Sequence, residues 1–284
     1  LGEFREENRG NPRIFKSYLK PGSGGDYALM KPGDVLVTNY VHEDIRAARE
    51  RGVYVVGVPV NYVDNEWAPR GFALPNQNGW LLGDVSNVIL QSYIPYHQGI
   101  VDCPQIPEMK ICPSSANSLA SLFWMCQAET ANRLKNPKAP RMEKAYGFID
   151  TLLSRMGDAY AGEKERIFDL AAVLAERIGA GAHFHVTSDH SGVQLEATVV
   201  AMGPMMLNAF RSDMRKGDVH FLATIDPDAK PVLDEAKKAR AMDMLVVSAG
   251  PGISNGIRDL SDVFLDNLSP EGQGWCTVPG FKDR

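Results

Sequence analysis

The 284-residue chain has no apolar run of about 18 residues, the length a membrane-spanning helix needs, so no membrane span is expected. Its N-terminus, LGEFREENRG, lacks the basic and then apolar segments of a secretory signal. Cysteine is scarce. The four residues, Cys103, Cys112, Cys126 and Cys276, have no C-x-x-C spacing, which removes the usual zinc and dithiol motifs. A Cys103–Cys112 disulfide is conceivable, but reduced thiols in a cytoplasmic protein are the expectation. Positive charge is not in excess, with 30 Lys and Arg against 35 Asp and Glu. The resulting net charge of −5 argues against nucleic acid or an anionic membrane surface as a partner. A small ligand, which needs only a few local donors, is not excluded. The chain opens on Leu1 rather than Met, consistent with a start inside a longer polypeptide.

A related pattern is present twice. KPGDVLVTNYVHEDIRAARERGVYVVGV, from Lys31 to Val58, reads as strand, turn, amphipathic helix and strand. RKGDVHFLATIDPDAKPVLDEAKKARAMDMLVVSA, from Arg215 to Ala249, has the same order. The segments DVSNVILQSYIPYHQGIVDC and DLSDVFLDNLSPEGQGWCTV then follow at similar places, each a strand, a Pro-containing turn, a Gly and a second strand. The first strands, Asp34 to Val37 and Asp218 to Ala223, are short apolar runs without strict alternation. Joined by helices, such runs indicate a parallel sheet buried on both faces. In the first helix Ile45, Ala48 and Val53 form the apolar side, opposed by Arg46, Arg49 and Glu50. The basic, Pro-bearing stretch Arg133 to Gly147 separates the copies. The expected division is a first unit at 1–135, a linker at 136–147 and a second unit at 148–284. A long apolar helix, Ser114 to Leu134, closes the first unit, and its Phe123 and Trp124 favour burial. Another helix, Phe148 to Gly181, opens the second and leads to a strand at Phe184 to Thr187.

These pieces, in this order, resemble the sugar isomerase (SIS) domain family. AERIGAGAHFHVTSDHSG is similar to the family's helix, strand and G-x-G-H-S-like turn. The two GDV segments resemble its second strand, VSNVILQSYIPYHQGI and LSDVFLDNLSPEGQGW its ADVVIDN segment, and CPSSANSLASLFWM its terminal G-P-T-S helix. The likeness covers most of 31–134 and 160–284. It implies an α/β fold, a flavodoxin-like three-layer sandwich with a parallel sheet (the SIS fold), in two related copies. It also implies a sugar or phosphosugar isomerase using acid/base enediol chemistry, without a metal or cofactor, and a homo-oligomer. The first copy lacks an obvious first strand and the second lacks the terminal helix. The chain is then either the middle of a tandem pair or two halves that complete each other.

An anion is held where backbone N–H groups and hydroxyls converge at a helix N-terminus. The family supplies S-x-S-G-x-T there, whereas this chain has VTNYVHED and ATIDPDAKP. Thr38, Asn39 and Thr224 are the neutral donors left, Asp226 and Asp228 would repel phosphate, and neither turn has a Gly. Both are poor phosphate cradles. This leaves open an unphosphorylated ligand and, as the rival function, a non-catalytic sugar-binding, regulatory or scaffold protein.

TSDHSG, from Thr187 to Gly192, is the foremost site candidate, at a strand's C-terminal end where open α/β sheets bind ligands. Ser188 and Ser191 could donate to a sugar and His190 could move a proton, although a helix cap would use the same residues. Asp189 stands where the family has Gly. PSSANS offers Ser114, Ser115 and Asn117, as pocket donors or as an ordinary helix start. His42, Glu43 and Glu196 are candidate bases for a C1–C2 proton transfer, and equally common as exposed helical residues. His97 is read as a structural turn residue. His183 and His185 alternate on a strand, but no third metal ligand is near them in sequence. The glycine-rich VSAGPGISNG lacks G-x-G-x-x-G spacing and is expected to be a flexible loop over the pocket.

Overall fold

The computed structural model describes residues 27–39, 41–59, 80–94, 99–105, 107–108, 110–189 and 214–269. It is an α/β protein with two parallel sheets, of three and four strands. The chain forms two compact units that part between Phe123 and Trp124.

In the first unit β1 (Val35–Thr38), β2 (Tyr54–Gly57) and β3 (Val88–Ile89) pair in that order, all parallel. Helix α1 (Glu43–Glu50) makes the crossover from β1 to β2 and the short α2 (Leu82–Val85) precedes β3. Of the apolar residues assigned to α1, Ile45 and Ala48 are on the helix and Val53 lies just beyond its end; all three join Leu36, Val55, Leu82 and Val85 in a single core. Val58 and Ile94 form another cluster with Leu119 of α3 (Ser115–Lys135). An antiparallel pair, β4 (Gly99–Asp102) and β5 (Lys110–Pro113), lies between them in sequence. Cys103, Cys112 and Cys126 are all free thiols.

The second unit has three layers. Strands β6 (Phe184–Ser188), β7 (Val219–Ala223), β8 (Leu245–Gly250) and β9 (Val263–Asp266) pair sequentially and in parallel. Alternate residues face opposite ways along each strand. Val219, Val247, Phe221 and Val263 pack with Leu170 and Leu174 of α4 (Glu143–Gly179). Leu222, Val246 and Phe264, on the other face, pack with Val232, Ala236 and Ala239 of α5 (Lys230–Ala241).

The expected linker is shorter than 136–147, because α4 already begins at Glu143. Met142 precedes it in a left-handed conformation and offers no side-chain cap. The cap comes from α3 instead, where the Glu129 carboxylate accepts from the amides of Met142 (3.0 Å) and Lys144 (3.2 Å). A carboxylate there meets both unsatisfied donors and the positive end of the helix dipole.

Corresponding hydrogen bonds accompany the two strand–helix–strand segments. Before β1, Asp34 Oδ2 accepts from Lys31 N (2.8 Å), and before β7, Asp218 Oδ2 accepts from Arg215 N (3.0 Å). Val55 N donates to Asn87 (2.8 Å) and Val246 N to Asp262 (2.8 Å). Each polar side chain satisfies a backbone donor at the edge of the ladder, where an unpaired one would be costly.

No described helix is long and apolar enough to cross a membrane. Gly57 closes β2 against α2 and β3. A Cβ there would lie 2.5 Å from Ser86 Oγ, 2.6 Å from Ile89 Cδ1 and 2.8 Å from Leu82 Cγ. Gly57→Ala should therefore lower stability by about 1–3 kcal/mol through overpacking. Urea denaturation checks this, and an unchanged midpoint would contradict the packing described.

Candidate functional site

Parallel strands end together, so in the second unit Ser188, Ala223, Gly250 and Asp266 mark one rim. This is the C-terminal rim, where open α/β sheets carry their ligands. The register sets Ser188 opposite Ala223, which brings the residues after β6 beside the turn after β7. The contact is specific. Thr224 Oγ1 donates to Asp189 Oδ2 at 2.6 Å, Ile225 N to Oδ1 at 2.9 Å, and Asp226 N to Oδ2 at 3.3 Å. The Thr224 oxygen also accepts from Asp226 N at 3.0 Å. The β7 turn therefore does gather donors around an anion, and that anion is the chain's own Asp189 carboxylate. Asp189 is exposed while Thr224 is buried, so the carboxylate faces outward over a fixed base.

The rest of this rim also presents acceptors. Asp266, ending β9, accepts from Gly252 N (3.0 Å) and Leu268 N (2.8 Å). The expectation of a flexible glycine-rich loop is corrected here. Val247 to Gly250 belong to β8, and Ile257, just beyond the loop, is fully buried with its amide bonded to Pro227 O at 2.9 Å. Gly252 is required by contact, since a Cβ on it would fall 1.9 Å from Asp266 Oδ2.

His190, Ser191 and Glu196, and also His97, lie outside the described residues. Ser188 is half-buried on the rim. In the first unit Thr38 and Asn39 occupy the C-terminal end of β1; Thr38 is buried. Asn39 Oδ1 is a buried acceptor with no hydrogen-bond partner among the described residues. His42 caps α1, its Nδ1 accepting from Asp44 N at 3.2 Å, and Glu43 is exposed in the first turn. Ser115 is nearly buried at the start of α3, Ser114 half-buried just before it, and Asn117 exposed. None of these residues lines the 550 Å³ cleft beside α1. That cleft is formed by Arg46, Arg49, Glu50, Trp80, Asp84 and Asn87. Its arginines are committed: Arg46 pairs with Glu50 and lies 4.8 Å over the Trp80 ring, and Arg49 donates to Asp84 O.

No protein-family model matches the chain, and no curated protein matches it.

At the opposite, N-terminal rim the structure supplies the third group that the sequence did not place near His183 and His185. This is Asp218, almost wholly buried. Its carboxylate accepts from His183 N (2.8 Å), Arg215 N (3.0 Å) and His185 Nε2 (2.9 Å). A carboxylate only accepts, so the Nε2 of His185 carries the proton. Arg215 lies across the open side, its guanidinium 2.5 Å from His183 Nε2 and 3.6 Å from Asp218 Oδ1. Two imidazoles and a carboxylate within 4.8 Å would suit a divalent ion by ligand type. Yet a cation taken by His185 Nε2 would require its proton to move to Nδ1, would break the bond to Asp218, and would displace Arg215. The cluster works as a buried, charge-balanced clamp between β6 and β7.

Burial favours the neutral acid of Asp218, but the bonds from His183, His185 and Arg215 outweigh it and hold the carboxyl below its ordinary range. Its neighbour His220 bonds Thr187 Oγ1 at 2.9 Å. Burial, with smaller effects of His185 and Lys238, pushes His220 from 6.5 down to about 4. Between those values the unfolded chain binds the extra proton and the folded one does not, so stability falls as pH drops from 6.5 to 4. The loss is about 3 kcal/mol from His220. The Asp218 contribution is present above the ordinary carboxylate pKa and is lost as pH falls below it through the folded value. Urea titrations from pH 7 to 4 should show the first decline, and His220→Gln should flatten it. A slope that His220→Gln leaves untouched would refute the assignment.

Proposed function

We propose that this chain is a carbohydrate-binding protein of SIS type, flavodoxin-like, with two related copies of the sheet unit. It takes a sugar through its hydroxyls at the C-terminal rim and has no need of a phosphate group. The observation that carries this reading is the Asp189 carboxylate, seated among the donors of the β7 turn and facing solvent. A phosphate brought to that rim would meet a negative charge where it needs donors. A sugar hydroxyl would meet an acceptor: two oxygens offer about four lone-pair positions, and the turn uses three. At the corresponding rim of the first unit, Asn39 Oδ1 is an acceptor without a partner among the described residues.

Among the described residues the geometry supports binding better than turnover. Enediol isomerisation needs a base at the sugar's C1 and C2. His42 has its Nδ1 lone pair engaged in capping α1, and His185 and His220 are buried in the sheet. The isomerase alternative would rest on His190 and Glu196, outside the described residues, and on exposed Glu43. This reading makes the protein a sensor or carrier of a neutral sugar.

Isothermal titration with neutral hexoses, pentoses and polyols, each beside its phosphate ester, tests the reading. At least one neutral sugar should bind, more tightly than its phosphate, and Asp189→Ala should weaken it by 10-fold or more. Binding confined to phosphate esters, or indifference to Asp189→Ala, would overturn the assignment. Exchange of the C2 proton with deuterated water would restore the isomerase.

A further inference from the structure

The Asp189 carboxylate is one end of a row of residues that crosses the whole second sheet. Asp189 is bonded to Thr224, a Cβ on Gly250 would lie 2.8 Å from Thr224 Cγ2, and Gly250 is the register partner of Asp266. Leu222 and Phe264, two residues before Thr224 and Asp266, both pack with α5, so the row lies on that face of the sheet. Its far end has a feature of its own. Asp266 spends Oδ1 on the amides of Gly252 and Leu268, and its Oδ2 has no partner among the described residues. The Arg258 guanidinium lies 4.7 Å over the Phe264 ring and, among the described residues, makes neither a hydrogen bond nor an ion pair. Yet the two groups are neighbours. The Cβ position of Gly252 is 1.9 Å from Asp266 Oδ2 and 3.0 Å from Arg258 Nη2, so a single atom between them reaches both. A hydroxyl fits that gap, because it donates to the carboxylate and accepts from the guanidinium at once, each at about 2.8 Å.

Between the two ends the rim presents apolar side chains. Ile225, in the turn after β7, and Ile253, in the loop after β8, are 40% and 58% exposed. A sugar ring has apolar C–H faces as well as hydroxyls, and covering such side chains with them is favourable. We propose that this rim binds a linear, neutral oligosaccharide, anchored by hydroxyls at Asp189 on one end and at Asp266 and Arg258 on the other, with its middle over Ile225 and Ile253. The inference rests on the sugar-binding reading and adds to it the length of the ligand and a second anchor. The sheet sets that length, since three strand intervals of about 4.8 Å place the anchors ~14 Å apart. At bond lengths of about 1.5 Å a pyranose spans about 5 Å from O1 to O4, so one ring falls short of the second anchor and about three linked rings reach it. A carboxylate at each end, against the single cation Arg258, favours a neutral chain over one bearing acid groups.

Titration calorimetry of the full chain with linear oligosaccharides of glucose, xylose, mannose and N-acetylglucosamine, from one to four residues long, tests the proposal. In at least one series the affinity should rise 10-fold or more from monosaccharide to trisaccharide, with no further gain from the fourth residue. Asp266→Asn keeps an acceptor for the two amides but removes the free carboxylate oxygen, and Ile253→Ser removes an exposed side chain. Each should return the trisaccharide to near the affinity of the monosaccharide and leave monosaccharide binding unchanged, whereas Asp189→Ala should weaken both. Ile253→Ser should also keep the wild-type melting temperature. Monosaccharide binding that needs Asp189 but gains nothing with chain length would overturn the oligosaccharide and leave the sugar-binding reading in place. Trisaccharide binding indifferent to Asp266→Asn and Ile253→Ser would overturn it too. If no sugar of any length binds, the sugar-binding reading falls and this extension falls with it.

Discussion

A parallel ladder cannot be closed by a tight turn, and that constraint shapes most of what is described above. Every strand must be reached by a crossover on one face of the sheet, so all strand starts gather at one rim and all strand ends at the other. Each rim then has backbone donors that the ladder leaves over. At the N-terminal rim Asp218 takes the amides of His183 and Arg215 and bonds His185. At the C-terminal rim Asp189 takes those of Ile225 and Asp226 together with the Thr224 hydroxyl.

The two carboxylates do the same physical task in different solvent settings. Asp218 is buried, fully engaged and balanced by a guanidinium, so its interactions are spent on joining β6 to β7. Asp189 is exposed, and its capacity is not exhausted by the donors beneath it. An ionised group held rigidly at the surface by a preformed nest can act on a ligand without first being reorganised. The contrast also explains why the His183, His185 and Asp218 cluster, despite ligand types that suit zinc, is better understood as a clamp.

Much of the architecture was legible in the chain. Short apolar runs starting at Asp34 and Asp218 and separated by helices with one charged side specify parallel strands, and the burial of Ile45, Ala48 and Val53 follows that pattern. The expected linker at 136–147 takes in the first turn of α4: Asn136-Pro-Lys-Ala-Pro140 does interrupt helix, while the cap that starts α4 belongs to Glu129, on α3. No local signal at 141–147 announces it. The glycine-rich run after β8 looked like loose loop because composition cannot distinguish glycine chosen for freedom from glycine chosen for close approach. Gly252 is of the second kind, fitted against Asp266.

The sequence by itself determined the class of fold, since hydrophobic period and the placement of Asp, Gly and Pro are local properties that survive without tertiary contacts. Only the tertiary structure decided which carboxylate meets which donors. Asp189 and Thr224 are 35 residues apart, and His185 and Asp218 33, so each pair exists only because β6 and β7 settle in one register. A shift of that register by a single residue would turn every side chain of β6 to the other face and dissolve both clusters.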